Sequence, residues 1–180
     1  MSAKKTALLS VLTLALLVNG PAFGQRAGTP RTVPPVTAVS TAPIVTILAS
    51  PTGAQMRAQG AGDASLDLGL VSCFRGTSAP GASSRRISGS FVISTRFALR
   101  VDCPGSSSSS RVKVTMSRLD AASSYGIAID GTTLGTAART LAQSMPCGSL
   151  GEHGLDVEVP VSAPAGSIES NVAFAATLQR

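Results

Sequence analysis

The sequence predicts an all-β fold, an immunoglobulin-like Greek-key β-sandwich that follows a cleaved signal peptide, and three observations predict it. Strict period-two alternation of apolar and polar residues recurs through the second half of the chain, as in strands with one buried face. Turn-forming residues separate these runs at short intervals. No stretch beyond residue 24 shows convincing helical periodicity. About seven or eight short strands with such turns between them suit a sandwich, and a small β-barrel is the alternative way to close them.

The first element is an address. Met1 to Lys5 carries two lysines, Thr6 to Val18 is apolar or small throughout, Asn19-Gly20-Pro21 breaks any helix, and Ala22-Phe23-Gly24 places small residues where a signal peptidase reads. This order predicts secretion with cleavage between Gly24 and Gln25. The apolar run is too short for a comfortable membrane span, and no cysteine follows it closely enough for a lipid anchor. The expected organisation is a signal peptide over 1–24, an extended arm rich in Pro, Thr and Ala over 25–43, and one sandwich domain over 44–180. The mature chain then has no transmembrane segment.

Loss of Lys4 and Lys5 reduces the formal charge from +6 to +4. The remaining cations are dispersed, with Arg85-Arg86 the one adjacent arginine pair, and the chain has one Tyr, no Trp and five Phe. A nucleic-acid surface needs clustered cations interleaved with stacking aromatics, so no nucleic-acid partner is expected.

Ile44-Val45-Thr46-Ile47-Leu48 is apolar on both faces, as a buried strand would be. It ends a β-prone segment, Val36 to Leu48, that suits two roles: the first strand of the chain's own sheet, or a strand donated to a neighbour, with Ile44, Val45, Ile47 and Leu48 as the donated residues. Ala49 to Ala64 is turn-rich, Leu66 to Val71 is a short strand, and Gly76 to Gly89 reads as a loop. Phe91 to Val101 is the clearest strand, with Phe91, Ile93, Thr95, Phe97, Leu99 and Val101 on one face. Arg111 to Met116 alternates again, with Val112, Val114 and Met116 inward. Across the serine loop after Pro104-Gly105 the two are expected to form a hairpin. Asp130-Gly131, between Tyr125–Ile129 and Thr132–Leu134, has the chemistry of a two-residue hairpin turn. Arg139 to Met145 suits either a short strand or a helical turn. Leu155 to Val161 and Ile168 to Leu178 are expected to form the last hairpin, and Pro160 suggests an edge position or a bulge.

Three cysteines follow the leader, so an oxidising compartment permits one disulfide. Cys103 and Cys147 both sit at strand-to-turn junctions, in Cys-Pro-Gly and Pro-Cys-Gly. Their pairing is preferred, with Cys73 the alternative partner. No cysteine spacing fits a metal motif.

The search for chemistry returns little. His153 is the one histidine, and a nucleophilic triad would need it as base with Glu152 or Asp156 as orienter. No Gly-x-Ser-x-Gly elbow supplies the nucleophile, so a loop histidine bonding backbone is expected instead. Asp156 and Glu158 share a strand face and read as a solvated surface. Asp130 is explained by its turn. No catalytic residue, metal ligand or cofactor is expected.

Leu66-Asp67-Leu68-Gly69, the alternating Phe91–Val101 strand that leads into Cys103, and the ending Val157-Glu158-Val159-Pro160-Val161, Ala163-Pro164-Ala165-Gly166 and Val172-Ala173-Phe174-Ala175-Ala176 carry a resemblance. Together they resemble exported bacterial pilin-like sandwich proteins, the spore-coat-protein-U-type subunits of chaperone–usher pili. Gln179 stands where such subunits carry an aromatic, and no cysteine precedes the Leu-Gly strand. The resemblance implies a non-enzymatic, secreted, periplasmic or cell-surface protein of a bacterium that assembles or adheres through strand edges, with itself or with neighbouring subunits. A secreted binding module for a glycan or a protein is the alternative.

Overall fold

The computed structural model describes residues 9–10, 42–59, 64–72, 76–77, 79–107, 109–120, 125–163 and 168–179. Cys73, the expected cleavage point at Gly24 and Gln25, and nearly all of the expected leader and arm lie outside them. The described residues are all β. The principal strands are β1 (Ile44–Ala49), β2 (Ser83–Ile87), β3 (Ser90–Asp102), β4 (Arg111–Arg118), β5 (Gly126–Ile129), β6 (Thr132–Thr133), β7 (Arg139–Pro146), β8 (Leu150–Pro160) and β9 (Val172–Gln179). Three two-stranded ladders accompany them: Met56–Ala58 with Ser65–Leu66, Val71–Ser72 with Gly76–Thr77, and a parallel pair of Leu9–Ser10 with Ile168–Glu169.

The strands form two antiparallel sheets. The larger has the order β6-β5-β8-β3-β1, and β2 shares with β1 the edge of β3 that faces away from β8. The smaller has the order β7-β4-β9. Neighbours β3 and β8 are far apart in sequence, so the chain crosses repeatedly between sheets, as in a Greek key. Two separate sheets make a sandwich rather than a barrel.

Two expected hairpins are therefore corrected. β3 and β4 belong to opposite sheets, and so do β8 and β9. Alternation reports that one face of a strand is buried, and facing strands across a core bury that face as fully as paired ones do. The inward rows are as expected: Leu99, Val101, Val112 and Val114 have no solvent exposure, and the rings of Phe97 and Phe174 meet across the core at 5.8 Å. Each such side chain contributes about 1.5–3 kcal/mol by leaving water. Val92 and Ala98, on the opposite face of β3, are buried too.

The Asp130-Gly131 turn is as expected. Both residues have positive φ, 48° and 75°, the geometry that a two-residue hairpin matching the strand twist requires. Arg139–Pro146 is a strand. The expected loop over 76–89 contains β2, which joins β3 through Ser88-Gly89, with Gly89 at φ 77°. Its Ser-Ser-Arg-Arg-Ile sequence gives no apolar alternation because it is exposed along most of its length. The expected strand over Leu66–Val71 breaks into two ladder fragments. Asp67 turns the chain, accepting a hydrogen bond from the Gly69 N–H at 2.8 Å, with Gly69 at φ 67°. Pro160 is at neither an edge nor a bulge. It is the last residue of central strand β8, opposite Ser90 and beyond the reach of β5, where the ladder on that side needs no donor.

The edge of β3 passes from β2 to β1 at Thr95 and Arg96. Thr95 is buried there, accepting from the Ala54 N–H at 2.7 Å and donating to the Gly81 carbonyl at 2.9 Å. Two glycines make this junction possible. A Cβ on Gly53 would stand 1.9 Å from the Arg96 carbonyl oxygen, and one on Gly81 would stand 2.0 Å from the Gly53 oxygen.

Candidate functional site

Cys103 and Cys147 are joined by a disulfide with Cα atoms 5.7 Å apart. Cys103 follows β3 in the larger sheet and Cys147 follows β7 in the smaller, so the bond ties the two sheets at one end. Backbone bonds from Cys147 N to the Ser110 carbonyl and from Gly148 N to the Val101 carbonyl surround it.

His153 is not in a loop. It lies within β8 opposite Phe97, on the inward face, with its side chain 11% exposed. Its ring lies against Phe97 with centroids 5.6 Å apart. Nδ1 is 2.7 Å from Asp130 Oδ2, and the other Asp130 oxygen accepts the Gly154 N–H at 2.7 Å. Asp130 thus closes its hairpin and also bonds to the neighbouring strand. Nε2 is buried without a partner among the described residues. Gly151 makes room for the ring, since a Cβ there would be 3.1 Å from Nε2. The other triad candidates point elsewhere: Glu152 accepts from Ser50 Oγ at 3.1 Å and Asp156 from Ser94 Oγ at 2.6 Å, on the opposite face of the sheet. Asp156 and Glu158 share that outer face, Asp156 with a serine rather than a cation as its partner.

A second polar cluster was not anticipated. Arg118, 7% exposed, ends β4 on its inward row. Its Nε and Nη2 bond Asp120 Oδ2 at 2.7 and 2.6 Å, its Nη1 donates to the Tyr125 carbonyl at 3.0 Å, and its guanidinium lies 4.6 Å from the centre of the Tyr125 ring. Asp120 also accepts from Ser170 Oγ and the Asn171 N–H, and the Tyr125 hydroxyl donates to the Glu169 carbonyl. The alternation Val112, Val114, Met116, carried one step further, was the signal that places Arg118 inward.

Burial pushes the Asp120 carboxyl up, but hydrogen bonds from Arg118, Ser170 and the Asn171 backbone outweigh it, and the net displacement is below the ordinary 3.8. Asp67 is also lowered, first by the Gly69 backbone N–H and then, against some burial, by Arg57. A carboxyl lowered in the folded state stabilises fully above its unfolded value and loses that contribution as pH falls through its folded value. Stability is therefore expected to fall with acid below about pH 4. Urea midpoints measured from pH 7 to pH 2 should show a smaller acid loss for Asp120→Asn than for the wild type. An equal acid loss would contradict the assignment.

Of the candidate donor segment 36–48, Ile44, Val45, Ile47 and Leu48 lie in β1, and residues 36–41 lie outside the described residues. Val45 and Ile47 are buried at 4% and 1% exposure, and the strand pairs antiparallel with β3 from Ile44↔Asp102 to Ala49↔Phe97. At this flank β1 approaches β9 of the other sheet. Among the described residues each of these two strands is paired on one side only. Among the described residues the flank thus presents two strand edges, with the Ala49 N–H of β1 taken by Gln59 Oε1. Within the core between the sheets, a cavity of about 40 Å³ is lined mostly by apolar residues, among them Ile47, Phe97, Ile127, Leu155, Val157 and Val172. On the outer face of the larger sheet a shallow groove of about 480 Å³ is lined by Thr52, Ser83, Ser94, Arg96, Gly154 and Asp156, among others. No helix among the described residues is long and apolar enough to cross a membrane, and no group of three or more His, Cys, Asp or Glu residues is placed to hold a metal ion.

No protein-family model matches the chain, and no curated protein matches it.

Proposed function

We propose that this is an exported, non-enzymatic structural or adhesive protein that assembles through its strand edges. The carrying observation is the β1–β9 flank, where, among the described residues, both sheets end in strands paired on one side. An unpaired edge is a template for another strand, and strand addition supplies backbone hydrogen bonds and side-chain pockets together. The inter-sheet disulfide and the leader-like residues 1–24 support export, with cleavage before Gln25. The resemblance to pilin-like subunits points the same way.

The expected result is association that depends on the flank. Lysines in place of Ala175 and Thr177, both exposed on β9, should reduce the assembled fraction in light scattering at least tenfold while circular dichroism stays that of the folded protein. Unchanged assembly in a folded variant would overturn the reading. The contribution of the arm is tested by deleting residues 25–43. A deletion that continues through Leu48 removes buried Val45 and Ile47 and tests stability instead.

The outer-face groove favours a second reading, a binding module for a glycan or another protein. A monomer that binds an oligosaccharide array, and loses binding with Asp156→Ala, would support it over assembly.

A further inference from the structure

The edges of the two sheets are not equally protected. β6 is two residues long. β2 carries Arg85 and Arg86. β1 lies between Pro43 and Pro51, and its Ala49 N–H is taken by Gln59 Oε1 at 3.2 Å. β7 shifts register twice, begins at Arg139 and ends at Pro146. Charges, prolines, bulges and short length are the devices that keep edges from pairing. β9 has none of them. It runs eight residues in unbroken register with β4, from Val172↔Arg118 to Gln179↔Arg111, and contains no charge and no proline.

We propose that β9 pairs antiparallel with β9 of a second copy across a two-fold axis, joining two three-stranded sheets into one of six. The proposal rests on the reading that assembly proceeds through strand edges, and it names the strand and the partner. A neutral strand meets its own copy without like-charge repulsion, and a two-fold interface uses the same patch twice. Side chains alternate between faces. A pairing that keeps Val172, Phe174, Ala176 and Leu178 on the core side therefore joins positions of equal parity and leaves one residue on the axis. With Ala175 on the axis, Phe174 neighbours Ala176 of the second copy and Val172 neighbours Leu178, large beside small at the centre of the seam. With Ala176 on the axis, Phe174 would instead crowd Leu178. On the outer face Ala173 meets Thr177, both small and uncharged.

The test uses single cysteines in a full-length chain carrying Cys73→Ser. Ala175→Cys should be linked into a dimer by a short bis-maleimide. Thr177→Cys alone should link at least tenfold less, because its copy lies about 13 Å along the paired strands. A mixture of Ala173→Cys and Thr177→Cys should link as Ala175→Cys does. Equal linking at positions 175 and 177 would overturn the two-fold register. Assembly of the parent chain in sedimentation without linking at Ala175→Cys would overturn self-pairing of β9 and leave edge assembly standing. A parent chain that sediments as a monomer would overturn self-pairing, and assembly through edges would then need a different subunit. Circular dichroism of each variant confirms that the comparison is between folded proteins.

Discussion

Replacing Cys103 and Cys147 together with serine is expected to cost about 4 kcal/mol of stability, the chain-entropy value for a bridge closing a loop of this length. The two cysteines are 44 residues apart in sequence, and β4 to β7 all lie between them. Once the bond is broken, the unfolded chain regains the freedom that this cross-link removes. The folded state also loses a tie between sheets held at that end by a few loop hydrogen bonds. Urea unfolding should show the midpoint falling with an unchanged slope, and thermal unfolding should move down by about 10–15 °C. Both positions are changed together so that neither released thiol can re-pair with Cys73. Reduction of the wild type should reproduce the shift. Unchanged midpoints in both experiments would mean that the cross-link does not restrain the chain as the structure indicates.

The second large effect belongs to Arg118. Arg118→Met keeps the length and apolar stem but leaves Asp120 without the charge opposite it, and the Tyr125 carbonyl without its donor. Removing one member of a buried, hydrogen-bonded pair costs about 3–5 kcal/mol. Asp120 is 26% exposed, so the low end of that range, about 3 kcal/mol, is expected. Arg118→Lys should lose less than Met but more than nothing, because an ammonium cannot make the paired bonds or lie flat on the tyrosine ring. The double change Arg118→Met with Asp120→Asn should recover part of the loss, since the uncompensated charge goes with the second substitution. Additive losses in this cycle, measured by chemical unfolding, would show that the two residues do not act as a pair.

These two effects differ in how visible they are in the sequence. The cysteines advertise themselves by their positions at strand-to-turn junctions. Arg118 does not, because an arginine ending an alternating run reads as the point where burial stops. It is tolerated inward because Asp120, two residues on, folds back to meet it and Tyr125 covers it. That arrangement exists only once residues 169–171 arrive beside them. His153 was misread for a related reason. Gly151 and Gly154 around it look like a turn, whereas Gly151 leaves room for its ring inside a strand and the Gly154 N–H is bonded by Asp130.

The alternating strands, their inward rows and the Asp130-Gly131 turn are legible from the chain. Each depends on local chemistry: alternation over a few residues, or positive φ at two neighbouring positions. Which strands are neighbours follows from the packing of the folded chain. The alternating rows of β3 and β4, and of β8 and β9, suit a hairpin as well as two facing sheets, because burial of a face does not record whether the partner lies beside the strand or across the core. The same ambiguity hid the unprotected edge of β9. A strand's edge is defined by the neighbour it lacks, and that neighbour is set by the packing of the whole sandwich.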